Sequence, residues 1–148
     1  MKKLILNFSV ITIIFLAFSN VVFGQSDKPY TEGPLWQVQF VHAKAGMGEL
    51  YLKNLSEGWI KVMRAAKEQG LIMDFKVLQG PLASENDWSL MLMYELKNYA
   101  MLDGMTAKMD ALSKTLFGSM ETQHTQAVSR NDLRVLQGGK LTQELQFK

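Results

Sequence analysis

Residues 36–55 read WQVQFVHAKAGMGELYLKNL, and their hydrophobic period changes partway along. The first part alternates apolar and polar side chains, which predicts a half-buried strand over 35–43. After the turn KAGMG, apolar residues recur every three or four positions, which predicts a helix over 47–69. A strand that leads directly into a helix is the beginning of a mixed α and β domain, so this stretch sets the fold class.

The rest of the chain repeats these two patterns. Alternation returns at 72–78 and, after a Gly-Gly pair, at 140–147, and a mainly apolar run covers 88–95, so three more strands are predicted. The third strand is apolar on both faces and is therefore expected at the centre of the sheet. Between the third and fourth strands, an apolar stripe predicts a second long helix, with Gly104 and Gly118 as candidate breaks.

The predicted order is strand, helix, strand, strand, helix, strand, which is the ferredoxin-like βαββαβ arrangement of the α+β class. Because crossover connections are right-handed, both helices should cover the same face of one antiparallel sheet. We expect Trp36, Val38 and Phe40 to face the helices. The open face should then carry a mixed set of polar and apolar side chains: Gln37, Gln39, Asp74, Lys76, Ser89, Met91, Met93, Glu95, Thr142 and Glu144. That mixture predicts a homodimer that forms through the open sheet face.

The N-terminus predicts export. Lys2 and Lys3 precede an apolar run that ends in VVFGQS, so residues 1–24 have the pattern of a signal peptide cleaved before Gln25. The alternative is a membrane anchor over 4–23. The polar residues within that run favour cleavage, after which we expect no stable membrane anchor. Residues 25–34 are polar, contain two prolines and predict a flexible tail. One domain over 35–148 follows, in the periplasm or outside the cell.

Charge and composition exclude several classes of function. The chain has 16 basic and 14 acidic residues, and two of the lysines belong to the leader, so the mature part carries 14 of each sign. A neutral domain lacks the basic surface that binds nucleic acid. There is no cysteine, GxSxG, HExxH or phosphate-binding glycine loop, so a disulfide scaffold, a hydrolase and a zinc enzyme are not expected. The residues predict no cofactor.

Four segments resemble the dimeric α/β-barrel group, in which two ferredoxin-like subunits pack sheet to sheet. They are WQVQFVHAKAGMGELYLKNL, GLIMDFKVLQG, DWSLMLMYELKNYAMLD and LRVLQGGKLTQELQF. More narrowly, the chain is similar to small exported bacterial proteins of that group. The resemblance implies a pocket for small, often apolar or aromatic molecules. Characterised members include cofactor-free and haem-degrading oxygenases, haem peroxidase-like enzymes and muconolactone-type isomerases. No catalytic motif of these branches aligns here, so no catalytic residue is carried over.

The candidate ligand-binding residues are those placed on the open face or beside a pocket: Gln37, Gln39, His42, Trp59, Lys76, Met91, Met93, Tyr94 and Glu144. Trp59 and Tyr94 would line a pocket and offer a hydrogen-bonding group, although packing alone also explains such residues. The favoured function is binding of a small organic molecule. The alternative is an oxygenase-like or isomerase-like enzyme on an aromatic or haem-like substrate, for which His42, Lys76 and Glu144 would supply polar groups and a histidine the haem ligand.

A second alternative is a Cu(I) protein. Met101, Met105 and Met109 recur at helical spacing, and His124 lies further along the same stripe. Soft thioether sulfurs favour Cu(I). The competing interpretation is that methionine fills gaps on a core-facing helix, because the stripe continues through leucines.

Overall fold

The computed structural model describes residues 28–148, apart from Asn86 and the side chains of Met120 and of residues 122–126. The predicted leader, the first residues of the predicted tail and the His124 side chain lie outside the described part. Among the helices that are described, none is both long and apolar enough to cross a membrane.

The elements follow one another in the predicted order, with each long helix divided in two. The strands are β1 (Tyr30–Ala43), β2 (Asp74–Gln79), β3 (Leu90–Leu96) and β4 (Arg134–Phe147). The α-helices are α1 (Gly48–Glu57), α2 (Trp59–Glu68), α3 (Met105–Phe117) and α4 (Met120–Leu133), and a 3-10 helix covers Tyr99–Leu102. The described residues therefore form an α+β domain.

The strands form one antiparallel sheet in the order β2-β3-β1-β4. Strands β3 and β1 occupy the centre, which agrees with the apolar sequence of β3. The architecture is compatible with the ferredoxin-like arrangement expected from the order of the elements. The edge strand β4 follows β1 over almost its whole length, with irregularities in register near both ends of the pairing.

The helices pack on one face of the sheet through two apolar clusters. One joins Leu35 and Leu96 to helix residues that include Met63, Met105 and Leu112. The other joins Val41, Leu90 and Leu92 to Tyr51 and Leu55. All these strand residues lie on the same face, because Leu35 pairs with Leu96 and Val41 with Leu90 in the β1–β3 register. Fully burying an aliphatic side chain contributes about 1.5–3 kcal/mol, so these clusters fix the face that the helices cover.

The predicted assignment of faces in β1 is wrong. Leu35 and Val41 are both fully buried against the helices. Side chains alternate strictly along a strand, so Gln37 and Gln39 share their face, whereas Trp36, Val38 and Phe40 lie on the open face. The reason is that the alternation puts the apolar side chains of Trp36, Val38 and Phe40 on one face and the two glutamines on the other, whereas in the structure the glutamines share the helix-covered face.

Glycines divide the helices. Gly104 (φ 67°) precedes α3 and Gly118 (φ 86°) follows it, both in backbone conformations that favour glycine. This confirms the two candidate breaks. Gly58 interrupts the first predicted helix between α1 and α2, with φ −109° and ψ −91°. The single helix predicted over 47–69 is therefore two helices.

Both ends of the sheet extend beyond the predicted strands. Strand β1 begins at Tyr30, because Tyr30–Glu32 pair with Leu145–Phe147 of β4. The predicted flexible tail over 25–34 is therefore wrong for Tyr30–Pro34. Strand β4 begins at Arg134, six residues before its predicted start, and α4 leads into it without a connecting loop.

Candidate functional site

A cavity of about 440 Å³ lies between the sheet and the helices. Its sheet wall is formed by Gln39, Leu92 and Tyr94, and its helix wall includes Trp59 and Phe117. The volume falls in the range of small-molecule sites, about 300–1,000 Å³. Gly58, at the break between α1 and α2, also lines the space.

A second, smaller cavity of about 250 Å³ continues along the same sheet face. Gln37 lines it, and Gln39, Trp59, Leu92 and Tyr94 line both cavities. The two glutamines therefore reach candidate ligand sites, but from the helix-covered face and not from the open face. Each contributes an amide that can donate and accept hydrogen bonds.

Trp59 is fixed at the centre of this region. Its ring meets Phe75 edge-on at a centroid distance of 5.8 Å and an interplanar angle of 83°. Edge-to-face pairs of this kind contribute about 0.5–1.5 kcal/mol beyond area burial. Trp59 packs against both apolar clusters, so it is at once a core residue and part of the cavity wall.

The polar groups of the cavity come mainly from residues that the sequence analysis did not select. Arg134 Nη1 donates to the Tyr51 hydroxyl at 3.1 Å, and Arg130, Asp110 and Ser113 also line the space. Burial raises the pKa of Tyr51, and the Arg134 guanidinium opposes that shift. Burial likewise raises the pKa of Tyr94. Both phenols thus stay neutral near pH 7 and act as hydrogen-bonding groups.

Four of the candidates predicted from the sequence lie on the open face of the sheet, away from both cavities. His42 is half-buried on the open face, where Nδ1 donates to the Asp87 carbonyl at 2.7 Å, since a carbonyl oxygen only accepts. The Lys76 ammonium lies over the Trp36 ring at 4.8 Å from its centroid. Met91 and Met93 pair with Phe40 and Val38 of β1, in the middle of the same face.

Glu144 is exposed on the edge strand β4. Its Cβ lies 3.2 Å from the position that a side chain on Gly33 would occupy. It is not among the residues that line the cavity between sheet and helices. The structure therefore does not bring Glu144 together with Trp59 and Tyr94.

The methionine stripe is divided between two segments. Met101 belongs to the 3-10 helix, whereas Met105 and Met109 follow Gly104 in α3. All three pack in or against the first apolar cluster, and Met105 and Met109 also line the cavity. Their packing matches the gap-filling interpretation. Within the described part of the chain, no group of three or more His, Cys, Asp or Glu residues is placed to hold a metal ion.

Two of the missed residues share a cause. Arg130 and Arg134 belong to the segment 120–137, where polar residues surround the helix and no period stands out. The pair of arginines four positions apart was the available signal, although only Arg130 lies in the helix and Arg134 is the first residue of β4. No family model matches this chain, and no curated protein is significantly similar to it in sequence.

Proposed function

We propose that this protein binds a small, largely apolar organic molecule in the cavity between its sheet and its helices. The observation that supports this most strongly is the cavity of about 440 Å³ itself. Apolar walls that carry a few convergent polar groups are the usual features of a small-molecule site. Trp59, Leu92 and Phe117 would contact the body of the ligand, and Gln39, Tyr51 and Tyr94 would orient it.

The proposed function is the binding of a small organic molecule. The oxygenase-like or isomerase-like alternative relied on His42, Lys76 and Glu144, and none of them lines the cavity. The Cu(I) alternative relied on three methionines that pack in an apolar cluster. Neither alternative has a specific observation in its favour.

The protein is further proposed to act as a homodimer, in the manner of a dimeric α/β barrel, after export of its mature chain. The open face holds Trp36, Val38, Phe40, Met91 and Met93 in one patch. Its cross-strand rows alternate in charge, because Asp74 and Glu95 share one row, whereas Lys76 and Lys140 belong to the next. A second copy related by a two-fold axis between these rows would place acidic groups opposite basic ones.

Binding is tested with N-phenyl-1-naphthylamine, a neutral dye that fluoresces in apolar surroundings. At about 0.3 kcal/mol per non-hydrogen atom, such a ligand should bind with a Kd on the order of 100 µM. We expect its fluorescence to rise saturably as the mature protein is added.

A matched pair of variants locates the site. Ser113 lines the cavity from α3, so Ser113→Trp should fill the space and abolish the rise. Thr115 is exposed on the same helix, so Thr115→Trp should leave it unchanged. A dye that fails to bind the wild-type protein, or that binds Ser113→Trp as well as wild type, would refute the proposal.

A further inference from the structure

Two arginines face the cavity from the junction of α4 and β4. Arg130 is in the last turn of α4 and Arg134 is the first residue of β4, and both are half-buried. Both line the cavity of about 440 Å³. A Cβ placed on Gly58 would lie 3.9 Å from Arg130 Nη1, so this guanidinium reaches the break between α1 and α2. The two positive groups therefore occupy one end of a mainly apolar space.

Neither guanidinium is paired with a carboxylate among the described residues. Among the described residues, the ion pairs are Lys28–Glu32 and Lys67–Asp74. Asp110 lines the same cavity and Glu57 lines a neighbouring one beside Arg130, but neither carboxylate is within 4.0 Å of a guanidinium nitrogen. Unpaired cations next to apolar walls are costly, and here two of them are close together.

The hydrogen bonds leave donor capacity at this end of the cavity. Arg134 Nη1 donates to the Tyr51 hydroxyl, but the buried Nε of Arg134 has no acceptor. Because the Tyr51 oxygen accepts that bond, its own proton remains available to donate. Burial lowers the pKa of Arg130, and repulsion from Arg134 adds to the shift. An anion placed here would relieve both the repulsion and the missing acceptor.

We infer that Arg130 and Arg134 bind the oxyanion of an amphiphilic organic acid, a carboxylate or a phosphate monoester, whose apolar body occupies the cavity. Guanidinium groups are suited to this role because their planar donor fork matches both anions. The Tyr51 hydroxyl would add a donor, and Trp59 and Phe117 would contact the body. The inference rests on the proposed function, since it specifies the ligand class for the same cavity.

The test compares two dyes that share one skeleton. 8-Anilino-1-naphthalenesulfonate is N-phenyl-1-naphthylamine with a sulfonate added, so the two dyes differ only by the anionic group. We expect the sulfonate to bind at least tenfold more tightly to the mature protein, in keeping with charge-assisted hydrogen bonds. Arg130→Gln and Arg134→Gln should remove this preference while the neutral dye still binds. Competition by 1-naphthoate and by 1-naphthyl phosphate then distinguishes a carboxylate site from a phosphate site, and 1-naphthamide should compete weakly.

Two controls address the charge itself and folding. Arg64 is exposed on α2, so Arg64→Gln removes the same charge away from the cavity and should keep the preference. Arg130→Lys retains the positive charge and should keep part of the preference for the sulfonate dye. An unchanged circular dichroism spectrum would show that this variant is folded. Equal affinities for the two dyes in the wild-type protein would overturn the inference and leave the proposed function intact. Sulfonate binding that survives Ser113→Trp would overturn it too, whereas binding of neither dye would refute both proposals.

Discussion

Gly139 shows how a single residue controls the approach of two strands. It pairs with Gln39 in the β1–β4 register, next to an irregularity in that ladder. A Cβ built on Gly139 would lie 2.5 Å from the Val38 carbonyl oxygen, a separation that atoms do not tolerate. The neighbouring atom belongs to the backbone, so it cannot move aside as a flexible side chain would. Only glycine allows β4 to pair with β1 at this position.

We therefore expect Gly139→Ala to lower the free energy of unfolding by about 1–3 kcal/mol, the usual cost of overpacking. Urea denaturation followed by circular dichroism measures this difference. The matched control is Gly80→Ala, because a Cβ at Gly80 meets nothing within 4 Å and its φ is not positive. Equal stability of the two variants would contradict the predicted clash.

One ion pair connects helix α2 to strand β2. Lys67 Nζ of α2 lies 2.6 Å from Asp74 Oδ1 at the start of β2. The hydrogen bond from Lys67 lowers the pKa of Asp74 below its ordinary value of 3.8, and a backbone hydrogen bond adds to the effect. Both partners are largely exposed, so the pair orients the turn between the two elements more than it stabilises them.

The sign of the pH dependence follows from this lowered pKa. The stabilisation from Asp74 is complete above pH 3.8 and is lost as the pH falls through the pKa of the folded state. We expect Asp74→Asn to flatten the decline in the urea midpoint between about pH 5 and about pH 3. Asp132→Asn, at an exposed aspartate of α4, serves as the control. A decline that is equally steep in wild type and Asp74→Asn would show that this pair does not contribute.

The two faces of the sheet differ in what covers them. The helix-covered face packs against the helices and forms one wall of the cavity. The open face holds half-buried aromatic and methionine side chains, and the ring centroids of Phe40 and Trp88 are 5.5 Å apart. Contiguous apolar patches of this kind mark interaction surfaces.

The proposed dimer predicts that Met93→Lys produces a monomer. Met93 lies at the centre of the open face beside Lys76 and Val38, so a second lysine would bring like charges together in the interface. Light scattering should give twice the monomer mass for wild type and for the control Leu50→Lys, whose site is 53% exposed on α1. A wild-type monomer would overturn the dimer, and a Met93→Lys dimer would place the interface elsewhere.

The sequence alone determined the order of the elements, the central position of β3 and the breaks at Gly104 and Gly118. It placed Trp59 and Tyr94 beside a pocket, and both line the cavity. Gln39 lines it too, but from the face opposite to the predicted one. Periodicity carries this information because it reflects local backbone geometry. Which face of β1 is inside was decided only by its pairing with β3, since alternation defines two faces without saying which one the helices cover. The arginines were likewise found only in the tertiary structure. The sequence around Arg130 has no apolar stripe from which the packing of α4 could be predicted. In the structure, α4 packs against α1 and α3, and this packing places Arg130 and Arg134 at the cavity.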